Sequence, residues 1–261
     1  TNPLEPVIAR VFIIYPFFLA CTIIYIIGCI CIINMSFKKF YLTKYINRHI
    51  NTTKNISIFY NINKKGSKMQ EDIEIKVIAA YSIYDGLDIW FYNAAAYEVM
   101  SIDAWDIEKF EQMNDVNYLG VIRVMSNLLP LLRKNKTRKN VKWIWNCSLS
   151  SYFGLPNGGG YSAPKAALVN LAESILPELE VSNINLQIIN HGFVKTRLTA
   201  KNEFQMPQVM EAKETAEKIL EGMEKSSSFE IRFPFGLRIF LSLLKMLPYK
   251  ISLALTKKML P

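Results

Sequence analysis

Residues 141–170, VKWIWNCSLSSYFGLPNGGGYSAPKAALVN, run from a short apolar strand through a serine cluster and a Pro/Gly turn into an alanine-rich helix. A strand joined to a helix by a glycine-rich turn is thus the unit around which the chain is organised. Tyr161 opens the helix and Lys165 follows one turn later. Residues four apart share a helix face, so phenol and ammonium can reach one site. A free tyrosine titrates at about 10 and is a poor acid or base at neutral pH. A neighbouring cation favours the phenolate and is expected to lower that value; a lowering of about three units corresponds to roughly 4 kcal/mol. The Ser148 hydroxyl, across the turn, can hold a substrate carbonyl. Tyrosine, lysine and serine so arranged suit proton transfer onto a carbonyl oxygen during hydride delivery.

Tyr-x-x-x-Lys alone carries little weight, because Tyr60 and Lys64 repeat it with no serine at the matching distance. The succession of strand, serine, turn, tyrosine and helix carries more. It resembles the active site of the short-chain dehydrogenase/reductase family, and the run from about residue 85 to 260 is similar to that family as a whole. The GFVKTRLTAKN segment and the tail resemble a bacterial subgroup whose substrates are undefined. The resemblance implies a Rossmann-like α/β fold with a doubly wound parallel sheet, residues 1–235, extended by a helical tail, 236–261. It implies NAD(P)-dependent interconversion of an alcohol and a carbonyl, with Tyr161 as proton donor or acceptor and Lys165 lowering its pKa and holding the ribose. Ser148 would orient the carbonyl and Asn117 would organise a proton relay.

Further residues extend the resemblance. The strand Leu87–Tyr92 ends in Asn93-Ala94-Ala95-Ala96, similar to the family's Asn-Asn-Ala-Gly turn, with Tyr92 in place of the first asparagine and Ala95 in place of the glycine. Asn93, Ala94 and Ala95 would border the adenine-ribose region. From Asp103 a long helix is expected, with Asn117 and Gly120 matching an Asn-x-x-Gly pattern that lies at a distortion of this helix in the family. Read alone, Asn117 is an ordinary polar position and a mediocre helix former. NINLQIINHGFVKTRLTAKN reads as a strand and a loop in which His191 replaces the family's proline, while Gly192, Val194 and Thr196 keep register to contact the nicotinamide. Phe204, Met206 and Met210 either line an apolar substrate pocket or close the core.

The first third fits less well. Residues 11–33 hold no charged residue over 23 positions and are followed by Lys38, Lys39 and Lys44. That length suits a membrane anchor; the alternative is an apolar helix over about 11–27 leading into a buried strand at 29–33. Asn55–Tyr60 reads as a further strand and 68–83 as a helix, a βαβα alternation that argues for a parallel sheet. The glycine-rich turn that would let backbone approach a pyrophosphate at a helix N-terminus is missing: Gly28 stands alone before Gly66. Asn61-Ile62 falls where the family carries an acidic residue beside the adenine. Lys38 and Lys39, with no acid beside them, favour NADP over NAD.

The net charge of +9 invites a nucleic-acid or membrane-surface reading. The basic residues concentrate in two polar stretches, 38–68 and 133–142, without an aromatic-interleaved patch, so a nucleic-acid partner is not expected. No Cys/His set has metal-ligand spacing, and Cys21, Cys29, Cys31 and Cys147 read as reduced structural thiols in a cytoplasmic protein. The tail, residues 236–261, mixes leucines with Arg238, Lys245, Lys250, Lys257 and Lys258. It suits a membrane surface, or packing on a neighbouring subunit. The family often dimerises through the helix after Tyr161, so the resemblance implies a homo-oligomer, although core packing alone would produce the same apolar stripe. The competing class is a non-catalytic scaffold, membrane-associated in one version, that keeps the fold and has lost the nucleotide.

Overall fold

The computed structural model describes residues 8–16, 53–61, 86–134, 140–225 and 228–260. Four strands form its parallel core: β3 (Ile89–Tyr92), β4 (Val141–Asn146), β5 (Ile184–His191) and β6 (Glu230–Phe233), adjacent in that order. The pairing sets Trp90 against Trp143 and Trp145 against Ile188. Alternate residues of a strand face opposite sides, and both sides are apolar here, as a sheet covered on both faces requires. Trp90, Tyr92, Trp143, Trp145, Leu186 and Ile188 belong to one cluster, while Phe91, Ile144, Ile189 and Ile231 belong to another.

Helices cover both faces. On the tryptophan face lie α1 (Ile107–Asn114), α2 (Gly120–Lys134) and α3 (Gly159–Glu180), which bury Met113, Val124, Leu128, Leu168 and Ala172. On the other lies α4 (Ala212–Lys225), contributing Ile219. Two shorter helices close the chain, α5 (Phe235–Met246) and α6 (Tyr249–Lys257). The doubly wound α/β architecture expected from the sequence is therefore present. The helix expected from Asp103 begins later, at Ile107, because Asp106 caps it by accepting the N–H groups of Glu108 and Lys109 at 3.0 and 3.2 Å.

The first third departs from expectation. Residues 11–16, read as helix or anchor, lie in strand β1 (Ile8–Pro16). β1 runs antiparallel both to β3 and to β2 (Thr53–Asn61), completing a six-stranded sheet in the order β2-β1-β3-β4-β5-β6. Val11, Phe12, Ile13, Ile14 and Tyr15 are β-branched or aromatic, types that favour strands, and neighbours on both sides complete the hydrogen-bond ladder. The strand expected at 55–60 is present as β2, while the expected strand at 29–33, helix at 68–83, Gly28 and Lys38–Lys39 lie outside the described residues. Among the described residues no helix is long and apolar enough to cross a membrane.

Candidate active site

Because β3 to β6 are parallel, Tyr92, Asn146, His191 and Phe233 end at one edge of the sheet, the edge where such sheets bind ligands. After β4 the chain enters a short turn, Leu149–Ser151. Ser148 caps it: its hydroxyl accepts the Ser150 N–H at 3.2 Å, and its own N–H donates to Asn190 Oδ1 at 3.0 Å. The first turn of α3 carries Tyr161 and the next carries Lys165, which is 1% exposed. The Lys165 ammonium donates to the Asn146 carbonyl at 2.7 Å and lies 5.7 Å from the centre of the Tyr161 ring. Tyr97 meets that ring edge-on at 5.0 Å.

Burial dominates the electrostatics. It raises the Tyr161 phenol above its ordinary value, although the Ser148 hydroxyl pulls the other way. It brings Lys165 down to about 8, against the opposing influence of the Cys147 thiol. The depression expected from Lys165 is outweighed by burial: Lys165 is fully buried and Tyr161 half-buried, and the ammonium is directed to the Asn146 carbonyl. Tyr161 is thus protonated at neutral pH, and the raised value makes its phenol a weaker acid than a free tyrosine. Cys147 is buried and its thiol is pushed up to about 12, so it is inert as a nucleophile. His191 is pushed down to about 4 by burial and is neutral at physiological pH. Its Nδ1 lies 2.7 Å from the Gly192 carbonyl, which only accepts, so Nδ1 carries the proton and Nε2 is left as an acceptor.

Asn117 lies in a π turn, Asp115–Leu119, that separates α1 from α2. Such single-turn insertions widen a helix and free backbone groups. The freed Val116 carbonyl accepts the Tyr92 hydroxyl at 2.6 Å. Asn117, fully buried, clamps the loop after β3 from both sides: its Oδ1 accepts the Ala96 N–H at 3.1 Å and its Nδ2 donates to the Ala96 carbonyl at 2.8 Å. Gly120 is required here, since a Cβ would stand 2.3 Å from the Tyr92 hydroxyl. Tyr92, Asn117 and Gly120 therefore form one unit.

Residues 47–206 match the model of the short chain dehydrogenase family. The chain belongs to that family. It is 31% identical over 163 residues to an uncharacterised oxidoreductase of Myxococcus xanthus, covering 62% of this chain and 63% of that protein. It is 30% identical over 92 residues to the 3-oxoacyl-[acyl-carrier-protein] reductase MabA of Mycobacterium bovis, covering 35% and 36%. The chain thus matches less than two thirds of the length of these relatives. Among solved structures it superposes on a short chain dehydrogenase from Burkholderia cenocepacia in complex with NADP, with a TM-score of 0.60 at 20% identity over 74% of this chain and 75% of that one. A short-chain dehydrogenase from Streptomyces avermitilis gives a TM-score of 0.61 at 18% identity over 84% and 83%.

As a short-chain dehydrogenase, the chain brings part of its expected dinucleotide edge together. Asn93 Oδ1 accepts from Asn146 Nδ2 at 2.6 Å, tying the ends of β3 and β4. Ala94 is buried and Ala95 half-buried beside them. Gly192 donates its N–H to the Phe233 carbonyl at 2.9 Å, and a Cβ there would meet Pro234 and Leu237 at 2.8 and 2.9 Å. Val194 bridges to Met210, and the Thr196 N–H donates to Thr199 Oγ1 at 3.0 Å. Asn146 Oδ1 and Ser150 Oγ are buried without a hydrogen-bond partner, unsatisfied groups that fit a polar ligand at this end. β1 is antiparallel to β3, so its first residue rather than its last faces this edge, while residues 1–7 and Gly28, where the glycine-rich turn would fall, lie outside the described residues. Asn61, the last residue of β2, does reach the edge beside Ile8.

Other residues of the site were not read from the sequence. Asn190, fully buried, links the Ser148 N–H to Glu230 Oε1, donating to the latter at 2.7 Å, and Tyr152 donates to the same carboxylate oxygen. Arg232 closes this network at 3.3 Å from Glu230 Oε2. The signal was a polar residue inside the apolar run IINH. Of the proposed substrate-loop residues, Met210 is core, whereas Phe204 is 48% exposed and packs on Phe193 with ring centres 5.7 Å apart.

Proposed function

We propose that this chain is an NAD(P)-dependent oxidoreductase interconverting an alcohol and a carbonyl, with Tyr161, Lys165, Ser148 and Asn117 as its working residues. The observation that supports this most is the convergence of the Tyr161 phenol, the buried Lys165 ammonium and the Ser148 hydroxyl at one sheet edge. A bound nicotinamide supplies or accepts the hydride. Tyr161, protonated at neutral pH, gives its proton to the carbonyl oxygen in the reducing direction. Ser148 orients that oxygen by hydrogen bonding, held in turn by Asn190. Lys165 restores the Tyr161 proton and holds the ribose, and Asn117 fixes the loop after β3 that borders it. Asn93, Ala94, Ala95, Gly192, Val194 and Thr196 complete the cofactor contacts. Lys38 and Lys39 favour NADP, and assembly of copies through α3 belongs to the same reading.

A second reading, a non-catalytic scaffold, draws on the antiparallel direction of β1, which brings a strand start to the edge. Nicotinamide absorbance during incubation with a panel of small aldehydes and ketones tests the first. Wild type is expected to turn over, and Tyr161→Phe to lose about 10²–10⁴-fold with unchanged thermal stability; equal turnover in the two proteins would sink the mechanism.

A further inference from the structure

The tail helices carry their polarity inside out. α6 buries Ser252 and Thr256, 0% and 5% exposed, and turns Tyr249, Ile251, Leu253 and Leu255 outward. The buried hydroxyls bond to carbonyls of their own helix, Ser252 to Pro248 and Tyr249 at 3.4 Å each and Thr256 to Leu253 at 3.2 Å. α5 is apolar on two sides. Its inner leucines, Leu237, Leu241 and Leu244, pack on Leu149 next to Ser148 and on Phe153, Leu155 and Phe193. Its outer stripe, Phe235, Ile239, Leu243 and Met246, recurs at helical spacing, and Phe235 and Met246 are 70% and 80% exposed. A contiguous exposed apolar surface of this kind marks a docking face.

Charge selects the occupant. After Glu230 the chain has no Asp or Glu, yet it holds Arg232, Arg238, Lys245, Lys250, Lys257 and Lys258. Where the stripe begins, Phe235 and Arg238 border an open cleft of about 460 Å³ shared with Lys218 and with Arg232, which is also paired with Glu230; among the described residues Glu214 is the one acidic residue lining it. A second copy seated face to face on this surface would set cation against cation. A phase apolar inside and anionic at its boundary matches both features.

We propose that α5 and α6 form a platform that docks on an anionic lipid bilayer, with exposed side chains such as Phe235, Met246, Tyr249 and Leu253 entering the acyl boundary and the Lys218–Arg232–Arg238 cleft taking a headgroup phosphate. The inner face of the platform packs on the segment that follows Ser148, so docking holds that side of the site at the lipid surface.

Co-sedimentation of the full chain with phosphatidylcholine vesicles, alone or carrying phosphatidylglycerol at about a quarter of the lipid, tests this. Binding is expected to be at least about tenfold tighter to the anionic vesicles and to weaken with salt. Lys245→Glu/Lys250→Glu should abolish the preference for anionic lipid. Met246→Glu/Tyr249→Glu, at side chains already 80% and 76% exposed, should release the protein from both vesicles while thermal stability is unchanged. No sedimentation with anionic vesicles, equal sedimentation with neutral ones, or a dimer in light scattering that Met246→Glu/Tyr249→Glu dissolves would each overturn the proposal; the dimer would assign the face to a second copy.

Discussion

The two sides of the sheet treat the shared carboxyl edge differently. From β3 to β6 the edge is a set of interlocked polar groups: Asn93 on Asn146, Lys165 on the Asn146 carbonyl, Ser148 on Asn190, Asn190 on Glu230. Beyond β3 the sheet continues through β1, whose reversed direction brings a strand start to the place where the fold would need a strand end leading into a helix. A helix N-terminus offers unpaired N–H groups and a positive dipole end to an anion; the start of a strand offers neither. Among the described residues, the interlocked polar groups of this edge all lie on the β3–β6 side.

The largest effect that would break this contrast is on the proton-transfer side. Lys165→Met removes a buried cation whose amine is already brought down to about 8. Turnover should fall by about 10²–10⁴, while chemical denaturation reports stability equal to or above wild type, because a desolvated charge is gone. Undiminished turnover would place the proton path elsewhere. Next comes the π turn. Gly120→Ala drives a methyl against the Tyr92 hydroxyl and should cost about 2–3 kcal/mol. Tyr92→Phe on that background removes the opposing oxygen and should recover about half, a coupling that a double-mutant cycle reads directly.

A smaller effect concerns His191. Its folded value of about 4 lies below the ordinary 6.5, so between these values the unfolded chain binds a proton that the folded chain does not. The stability that depends on neutral His191 is present above the unfolded value and is lost as pH falls from there toward 4. His191→Asn should flatten that acid-side decline by about 2 kcal/mol, a figure reduced from the full shift because His191 is only half-buried. Parallel urea titrations across the window measure it.

What could be read in the sequence follows from range. Tyr161 and Lys165 are four apart on one helix and Ser148 lies thirteen residues earlier across the Pro/Gly turn, which is local chemistry; Asn117 with Gly120 comes from the family resemblance, since alone Asn117 reads as an ordinary polar position. The alternation of β3, α1–α2, β4, α3 and β5 likewise carries its own periods. The direction of β1 does not: VFIIY is apolar whichever way it runs, and only pairing with β2 and β3 decides. The link from Asn190 to Glu230 spans forty residues and depends on β5–β6 register. The sign of the Tyr161 shift depends on burial, which the i,i+4 spacing does not report, and so the phenol moves up where the adjacent cation suggested down.

The contrast between the two sides of the edge is tested most directly by titrating the wild-type chain with NADPH and with NADH and following nicotinamide fluorescence. Saturable binding of at least one of them below millimolar concentration is the result predicted, with Lys165→Met weakening it. Binding of neither at millimolar concentration would contradict the account and leave a dehydrogenase fold without its nucleotide.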